Sequence, residues 1–449
     1  MNPIAADLIV SARWIIPVTP ADTVLEHHAL VVREGSIVSI EPAASAKQKY
    51  RASQTVELPS HVLMPGLINA HGHAAMTLFR GLADDYPLMT WLQDYIWPAE
   101  GQFVSEEFVR DGVELAIAEM LRSGTTCFSD MYFFPGVTAD VAHRLGVRAQ
   151  ITFPVFDMPS PWGSNAEDYL HKGLALRDAY KHSQYISIGI GPHAPYTVGD
   201  ESLKRVLTYA EELDLPLQIH LHETAFEVQD AVSKTGVKPL QRLHALGLLS
   251  PRVQCVHMTA LDDDDIALLA HTGAHVVHCP ESNLKLASGF CPVHKLQQAG
   301  VNVALGTDGA ASNNDLDLFS ELRTAALLAK AVAGDATALP AHAALRMATL
   351  NGARAMGMDA HIGSLEAGKQ ADFIAVNLDT IEAAPLYDVA SQLAYANAGH
   401  QVSHVWIAGH CLLEQRELTQ MNAADIKAKA QAWQQKLAHL HPAKMQSSQ

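Results

Sequence analysis

His71 and His73 follow the apolar run Met64-Pro-Gly-Leu-Ile-Asn-Ala with one residue between them. If Leu63–Ala70 is a buried strand, period-two alternation sends both imidazoles to the same side. Two imidazoles leaving one strand end together can share a metal ion. Further candidate ligands follow later apolar runs: Asp130; His193; His220, His222 and Glu223; His257; His278 and Ser282; Asp308. With 24 histidines in the chain, any single one means little. A histidine or carboxylate after so many runs in succession is not what chance supplies.

Nitrogen and oxygen donors without thiolate suit one zinc or iron ion. His71, His73 and His220 supply imidazoles, and Asp308 binds the metal while accepting a proton from its water. An open coordination position would bring the pKa of that water toward roughly 7. Glu223, three residues after His220, is placed to carry a proton to the substrate, and His257 to hold or polarise the attacking hydroxide. His222 shares His220's strand face by parity, so position alone leaves open which of the two is the ligand. No lysine follows the fourth candidate strand, where Gly191-Pro-His-Ala stands, so a bridging carboxylated lysine and a second metal are not expected.

The elements that must position these residues are short apolar strands alternating with longer helical stretches, the pattern of βα units. Eight strands are expected, at Leu63–Ala70, Thr125–Ser129, Arg148–Val155, Ile186–Gly191, Pro216–Leu221, Val253–Val256, His275–Val277 and Val301–Gly306. Ser105 is the expected cap of the helix before Gly124, and Asp200 that of a helix ended by Pro216. Eight units over this length predict an α/β fold, a (β/α)8 TIM barrel, whose reactive residues sit at the strand ends. Neither GxGxxG nor GxxxxGK[ST] occurs where it would mark a dinucleotide or phosphate loop.

Both chain ends read as β-rich. Leu8–Val10, Trp14–Val18, Ala29–Val32 and Ser36–Ile40 are short runs split by polar turns, and the first twenty residues read as a short strand pair. Gly363–Asn377 and His404–His410 are similar in style, which predicts one small β-sandwich built from both ends. The expected division is 1–63 and 362–420 for the sandwich, 64–361 for the barrel, and 421–449 for a terminal helix and tail. Ile426, Ala430, Trp433 and Leu437 give that helix its period, and KMQSSQ reads as a frayed tail.

The 449 residues carry 31 basic and 48 acidic side chains, a net charge of −17. That leaves no cationic excess for nucleic acid or an anionic membrane. Five scattered cysteines without a Cys-x-x-Cys pair predict small buried hydrophobes rather than disulfides. No run is long enough to span a bilayer, and the N-terminus has no basic leader, so a cytoplasmic location is expected.

The motifs MPGLINAHGHA, GPHAPYT, HLHET, VHMTAL, HCPESNLKLASG, GTDGAASNNDLD and GSLEAGKQADFIAVN together resemble the amidohydrolase superfamily over almost the whole chain. Within it, HAAMTLFRGLADDYPLMTWLQDYIWPAE is most similar to the 5-methylthioadenosine/S-adenosylhomocysteine deaminases. The resemblance implies the composite sandwich, His220 as ligand with Glu223 as acid/base, and Trp91 and Glu100 around the nucleoside. Glu100 is then expected to hydrogen-bond the ribose hydroxyls, and His193 to hold the purine or its sugar. It further implies hydrolytic deamination of an adenine moiety, one divalent ion per subunit (zinc, with iron as the alternative), a small-molecule purine nucleoside as substrate, and a homo-oligomer, dimer or tetramer. The alternative within the branch is a deaminase or chlorohydrolase acting on guanine, an oxidised purine or a triazine. One departure stands out. Some family members carry arginines after the third strand for the homocysteine carboxylate, whereas Phe153–Trp162 here has none, which predicts a preference for methylthioadenosine.

Overall fold

A computed structural model describes residues 3–441. The N-terminal side supplies β1 (Ile4–Ile15), β2 (Leu25–Arg33), β3 (Ser36–Pro42) and β4 (Tyr50–Pro65). The expected runs at Leu8 and Trp14 are therefore one long strand, not a pair, because β1 lies between two partners, β2 and β4, along its length.

Eight parallel strands follow: β5 (Leu67–Asn69), β6 (Thr125–Asp130), β7 (Arg148–Val155), β8 (Ile186–Pro192), β9 (Leu217–Leu221), β10 (Val253–His257), β11 (His275–His278) and β12 (Val303–Leu305). They pair in sequence order, and the Ala70 amide donates to the Leu305 carbonyl at 2.9 Å to bring the last strand back to the first. This is the expected (β/α)8 barrel. The first strand is shorter than expected: Leu63 and Met64 belong to β4 in the other sheet, and the chain changes sheets at Pro65-Gly66. Glycine is required there, since a Cβ would lie 2.0 Å from the Thr126 hydroxyl.

The C-terminal side adds β13 (Phe373–Asn377), β14 (Val402–Ile407), β15 (His410–Glu414) and β16 (Glu417–Leu418). The two ends join where β13 pairs antiparallel with β4, giving the order β16-β15-β14-β13-β4-β1-β2-β3. Side chains from both halves, including Leu8, Leu30, Leu63, Phe373 and Trp406, share one core. The Ile37 amide donates to the Lys369 carbonyl, which folds the β2–β3 end over the β13 side. One continuous sheet thus closes over itself, the form the expected sandwich takes.

Ser105 caps the helix Glu106–Arg122 by accepting from the Phe108 amide at 3.3 Å. Asp200 is instead the first residue of its helix, with Gly199 in the cap position. The helix Ala423–Leu437 buries Ile426, Trp433 and Leu437 and donates a hydrogen bond from Trp433 to Asp111. The expected KMQSSQ tail lies outside the described residues. Cys127, Cys255, Cys279 and Cys291 are buried, Cys411 is partly exposed, and all five are free thiols. Among the described residues no helix is long and apolar enough to cross a membrane.

Candidate active site

His71, His73, His220, His257 and Asp308 converge at the C-terminal mouth of the barrel. Two overlapping triads, His71–His220–His257 and His71–His73–Asp308, each bring one donor atom per residue within 4.8 Å of the others. The convergence depends on close backbone approach. The Asp308 amide donates to the His71 carbonyl at 3.1 Å, and a Cβ on Gly306 would lie 2.9 Å from His71 backbone atoms.

All four imidazoles are oriented alike. Nδ1 donates to the Gln218 Oε1 from His71 (2.7 Å), to the Met131 carbonyl from His73 (2.6 Å), to the His193 carbonyl from His220 (2.8 Å) and to Asn283 Oδ1 from His257 (2.9 Å). With Nδ1 carrying the proton, each Nε2 presents a lone pair. The Nε2 atoms of His71 and His220 then face each other at 3.2 Å. Two lone pairs at that distance repel unless a cation lies between them. Asp308 Oδ1 is 3.2 Å from His73 Nε2 and 3.5 Å from His71 Nε2, while Ser282 and Ser312 donate to Oδ2 at 2.7 and 2.9 Å. A buried set of imidazole nitrogens and one carboxylate, with no thiolate, fits a divalent metal ion.

Electrostatics agree with that fit. Burial, reinforced by neighbouring imidazoles, holds His220 well below its ordinary pKa, and burial also lowers His71 and His257. Burial alone would raise Asp308, but the His71 and His73 imidazoles beside it hold its carboxyl well below the usual range. For His73, burial is outweighed by the Asp308 contact, which lifts it to about 9. A proton there and a divalent cation would compete for one lone pair, because metal binding releases protons from its ligands.

His222 does not join the cluster. Parity would have put it beside His220, but its backbone is left-handed (φ 50°), which breaks the alternation. Its Nδ1 donates to the Ala260 carbonyl and its Nε2 accepts from the Leu240 amide. Glu223 does face the site, with Oε2 3.8 Å from His257 Nε2. Burial, with the Asp308 charge adding to it, pushes its carboxyl up to about 8. Asp130 accepts from the Ala74 amide at 2.7 Å and so braces the turn after His73. His278 is buried behind His257 with neither ring nitrogen paired, and burial lowers it to about 3.

A cavity of about 580 Å³ opens above these groups. His73, His220, Glu223, His257 and Asp308 form its floor, and Trp91, Glu100 and His193 also line it. Glu100 accepts a 2.8 Å hydrogen bond from Tyr132, and burial raises its carboxyl to about 7 despite that bond. His193 stacks on Phe156 with ring centroids 4.7 Å apart, and Nδ1 lies 2.9 Å from Thr197 Oγ1. Pro154, Phe156, Met158, Pro159 and Pro161 form an apolar wall, and among the described residues no lysine or arginine lines the cavity.

Several contributors escape a reading of strand ends. Tyr132 lies two residues past Asp130, within reach of that reading, but carries no metal-ligand signature. Gln218 precedes His220 inside the strand. Glu227 accepts from the His222 and Glu223 amides at 3.1 and 2.8 Å. Its signal was the Thr224-x-x-Glu227 capping pattern, in which Thr224 accepts from the Glu227 amide.

Comparison with known proteins agrees with this geometry. A model described as "Amidohydrolase family" matches residues 62–412. The chain is 58% identical to a 5-methylthioadenosine/S-adenosylhomocysteine deaminase from Saccharophagus degradans, over 97% of this chain and 98% of the relative. It is 52% identical to one of the same name from Teredinibacter turnerae, over 97% and 99%. Its backbone matches the crystal structure of an adenosine deaminase from Xanthomonas campestris with bound zinc, with TM-score 0.96 and 51% identity over 97% of this chain and 100% of that one. The chain belongs to the amidohydrolase family.

Proposed function

We propose that this protein hydrolytically deaminates the adenine moiety of methylthioadenosine and related adenosines such as S-adenosylhomocysteine, giving the inosine analogue and ammonia. The observation that carries the reading is Glu223, a buried acid facing His257 and Asp308 at the floor of a nucleoside-sized cavity. The chain's similarity to 5-methylthioadenosine/S-adenosylhomocysteine deaminases and to a zinc-bound adenosine deaminase supports the substrate class.

In this reading His71, His73, His220 and Asp308 hold a divalent ion, zinc in first place. When bound, it supplies Lewis acidity that lets water ionise near neutral pH. Asp308 takes a proton from the attacking water, and His257 Nε2 orients it toward the purine carbon bearing the amine. Glu223, protonated at neutral pH because burial raises it to about 8, donates to the adjacent ring nitrogen. The amine then leaves as ammonia with the proton held by Asp308, and as the carbonyl forms the added hydroxyl returns its remaining proton to Glu223. Glu100 accepts from the ribose hydroxyls, Trp91 packs beside the nucleoside, and His193 holds the purine or its sugar.

The apolar wall sets the tail preference. A homocysteine carboxylate and ammonium would be desolvated there without a partner, at a cost above about 1–3 kcal/mol. We expect kcat/KM for methylthioadenosine to exceed that for S-adenosylhomocysteine by about tenfold or more. Ammonia release from the zinc-loaded protein with methylthioadenosine, S-adenosylhomocysteine, adenosine, adenine and guanine tests both points. Turnover of free guanine or adenine alone would overturn the nucleoside assignment, and a clear advantage for S-adenosylhomocysteine would overturn the tail argument.

A further inference from the structure

A (β/α)8 barrel interior is ordinarily filled by layers of branched apolar side chains. Here three glutamines occupy it: Gln150 near the start of β7, Gln218 in β9 and Gln254 in β10, each with at most 1% exposure. They are hydrogen-bonded head to tail. Gln150 Nε2 donates to the Met356 carbonyl at 3.0 Å, Gln254 Nε2 to Gln150 Oε1 at 2.7 Å, and Gln218 Nε2 to Gln254 Oε1 at 2.6 Å. Gln218 Oε1 then faces His71 Nδ1 at 2.7 Å.

The chain has one direction, and backbone groups impose it. The Met356 carbonyl can only accept, so Gln150 must turn its amide nitrogen toward it. The Ala70 carbonyl, 2.9 Å from Gln218 Nε2, makes the same demand at the other end. Reversing any one amide would set nitrogen against nitrogen or oxygen against oxygen between fully buried side chains. Gln218 therefore offers His71 an oxygen and nothing else. His71 must carry its proton on Nδ1, and its Nε2 lone pair is held facing His220.

We propose that Gln218, Gln254 and Gln150 act as positioning residues that fix the tautomer of His71 from the far end of the barrel, presetting Nε2 as a metal donor. The inference rests on reading His71 as a metal ligand. None of the three glutamines lines the cavity, and the side-chain contact that joins them to the imidazole cluster is Gln218 Oε1 to His71 Nδ1. Partners of metal-binding histidines typically change affinity by about 10–100-fold when removed.

The test pairs two measurements. Ring ¹⁵N NMR of metal-free protein, with His71 assigned by difference against His71→Asn, reads the tautomer directly. Chelator competition reads zinc affinity in Gln218→Met, Gln254→Met and Gln150→Met, with thermal melting of each metal-free variant as the control for folding. Expected are a protonated Nδ1 on His71 in the wild type, about 10–100-fold weaker zinc binding in Gln218→Met, and smaller losses, graded with distance, in the other two. Each loss should be accompanied by a mixed His71 signal. A wild-type His71 protonated on Nε2 would overturn the proposal. So would wild-type zinc affinity and an unchanged His71 signal in both Gln254→Met and Gln150→Met. If Gln218→Met does not fold, the wild-type spectrum and the two remote variants decide. A wild-type protein with the expected tautomer that takes up no zinc would sink the metal reading and leave the glutamine chain standing.

Discussion

Glu223 and Glu100 are both buried carboxyl groups, and their surroundings prepare them for different states. Glu223 sits beside Asp308 and is kept protonated at neutral pH, as a proton donor must be. Glu223→Gln should keep stoichiometric metal and lose about 10²–10⁴-fold in kcat; metal analysis beside steady-state kinetics checks it, and near-normal kcat would remove Glu223 from the reaction. Glu100, with a pKa raised to about 7 by burial, changes state in the working range. In its proposed ribose-binding role, only the ionised form would accept hydrogen bonds from two hydroxyls through both oxygens. KM for the nucleoside should therefore fall as pH rises through about 7, and Glu100→Gln should flatten that profile and raise KM. Stability runs the other way. The folded pKa lies above the ordinary 4.5, so the folded chain takes up a proton in that window. Glu100's contribution to stability is full below 4.5 and is lost as pH rises through 7.

At the scale of elements, the turn after β9 decides which of two histidines is used. Left-handed backbone at His222 turns that imidazole away, and the two amide hydrogen bonds to Glu227 fix the turn that aims Glu223. Glu227→Ala should leave metal content unchanged and lower kcat by up to about 100-fold, since a displacement of about 1 Å in a reacting group can cost that much. A variant with normal kcat would show that the helix Ala225–Thr235 holds the turn without it. Asp130, at the end of β6, has a comparable role: it braces His73 through the Ala74 amide rather than reaching the metal-site donors.

For the whole molecule, the question is how a sheet made from both chain ends is tied to the barrel. Arg148 at the start of β7 forms a bidentate pair with Asp372, at 2.7 and 3.0 Å, and Asp372 also accepts from the Ala408 amide. Both partners of the pair are buried. Arg148→Met strands the Asp372 charge and should cost about 3–5 kcal/mol. Denaturant unfolding should register that loss while kcat at low temperature stays close to normal, because the pair lies at the strand starts, away from the cavity. A wild-type unfolding midpoint in this variant would show that other contacts between the sheet and the barrel hold the junction without it.

Much of this protein was legible in its sequence because its signals are local. Short apolar runs followed by histidine or carboxylate mark barrel strands and their reactive ends, and the motifs from MPGLINAHGHA to GSLEAGKQADFIAVN carry the family. Boundaries were less legible. Leu63–Ala70 reads as one apolar strand, and only the pairing of Leu63 and Met64 with β13 and of Leu67–Asn69 with β6 shows that the chain changes sheets there. The sequence by itself determined which residue types arrive at which strand ends, since alternation and turn chemistry are written within a few residues. Tertiary structure alone decided the lone pair each imidazole presents, the choice of His220 over His222 by geometry, and the raised pKa of Glu100 and Glu223. Those depend on groups far apart in sequence, such as Gln218 against His71 or Tyr132 against Glu100, and on burial that only the assembled barrel creates.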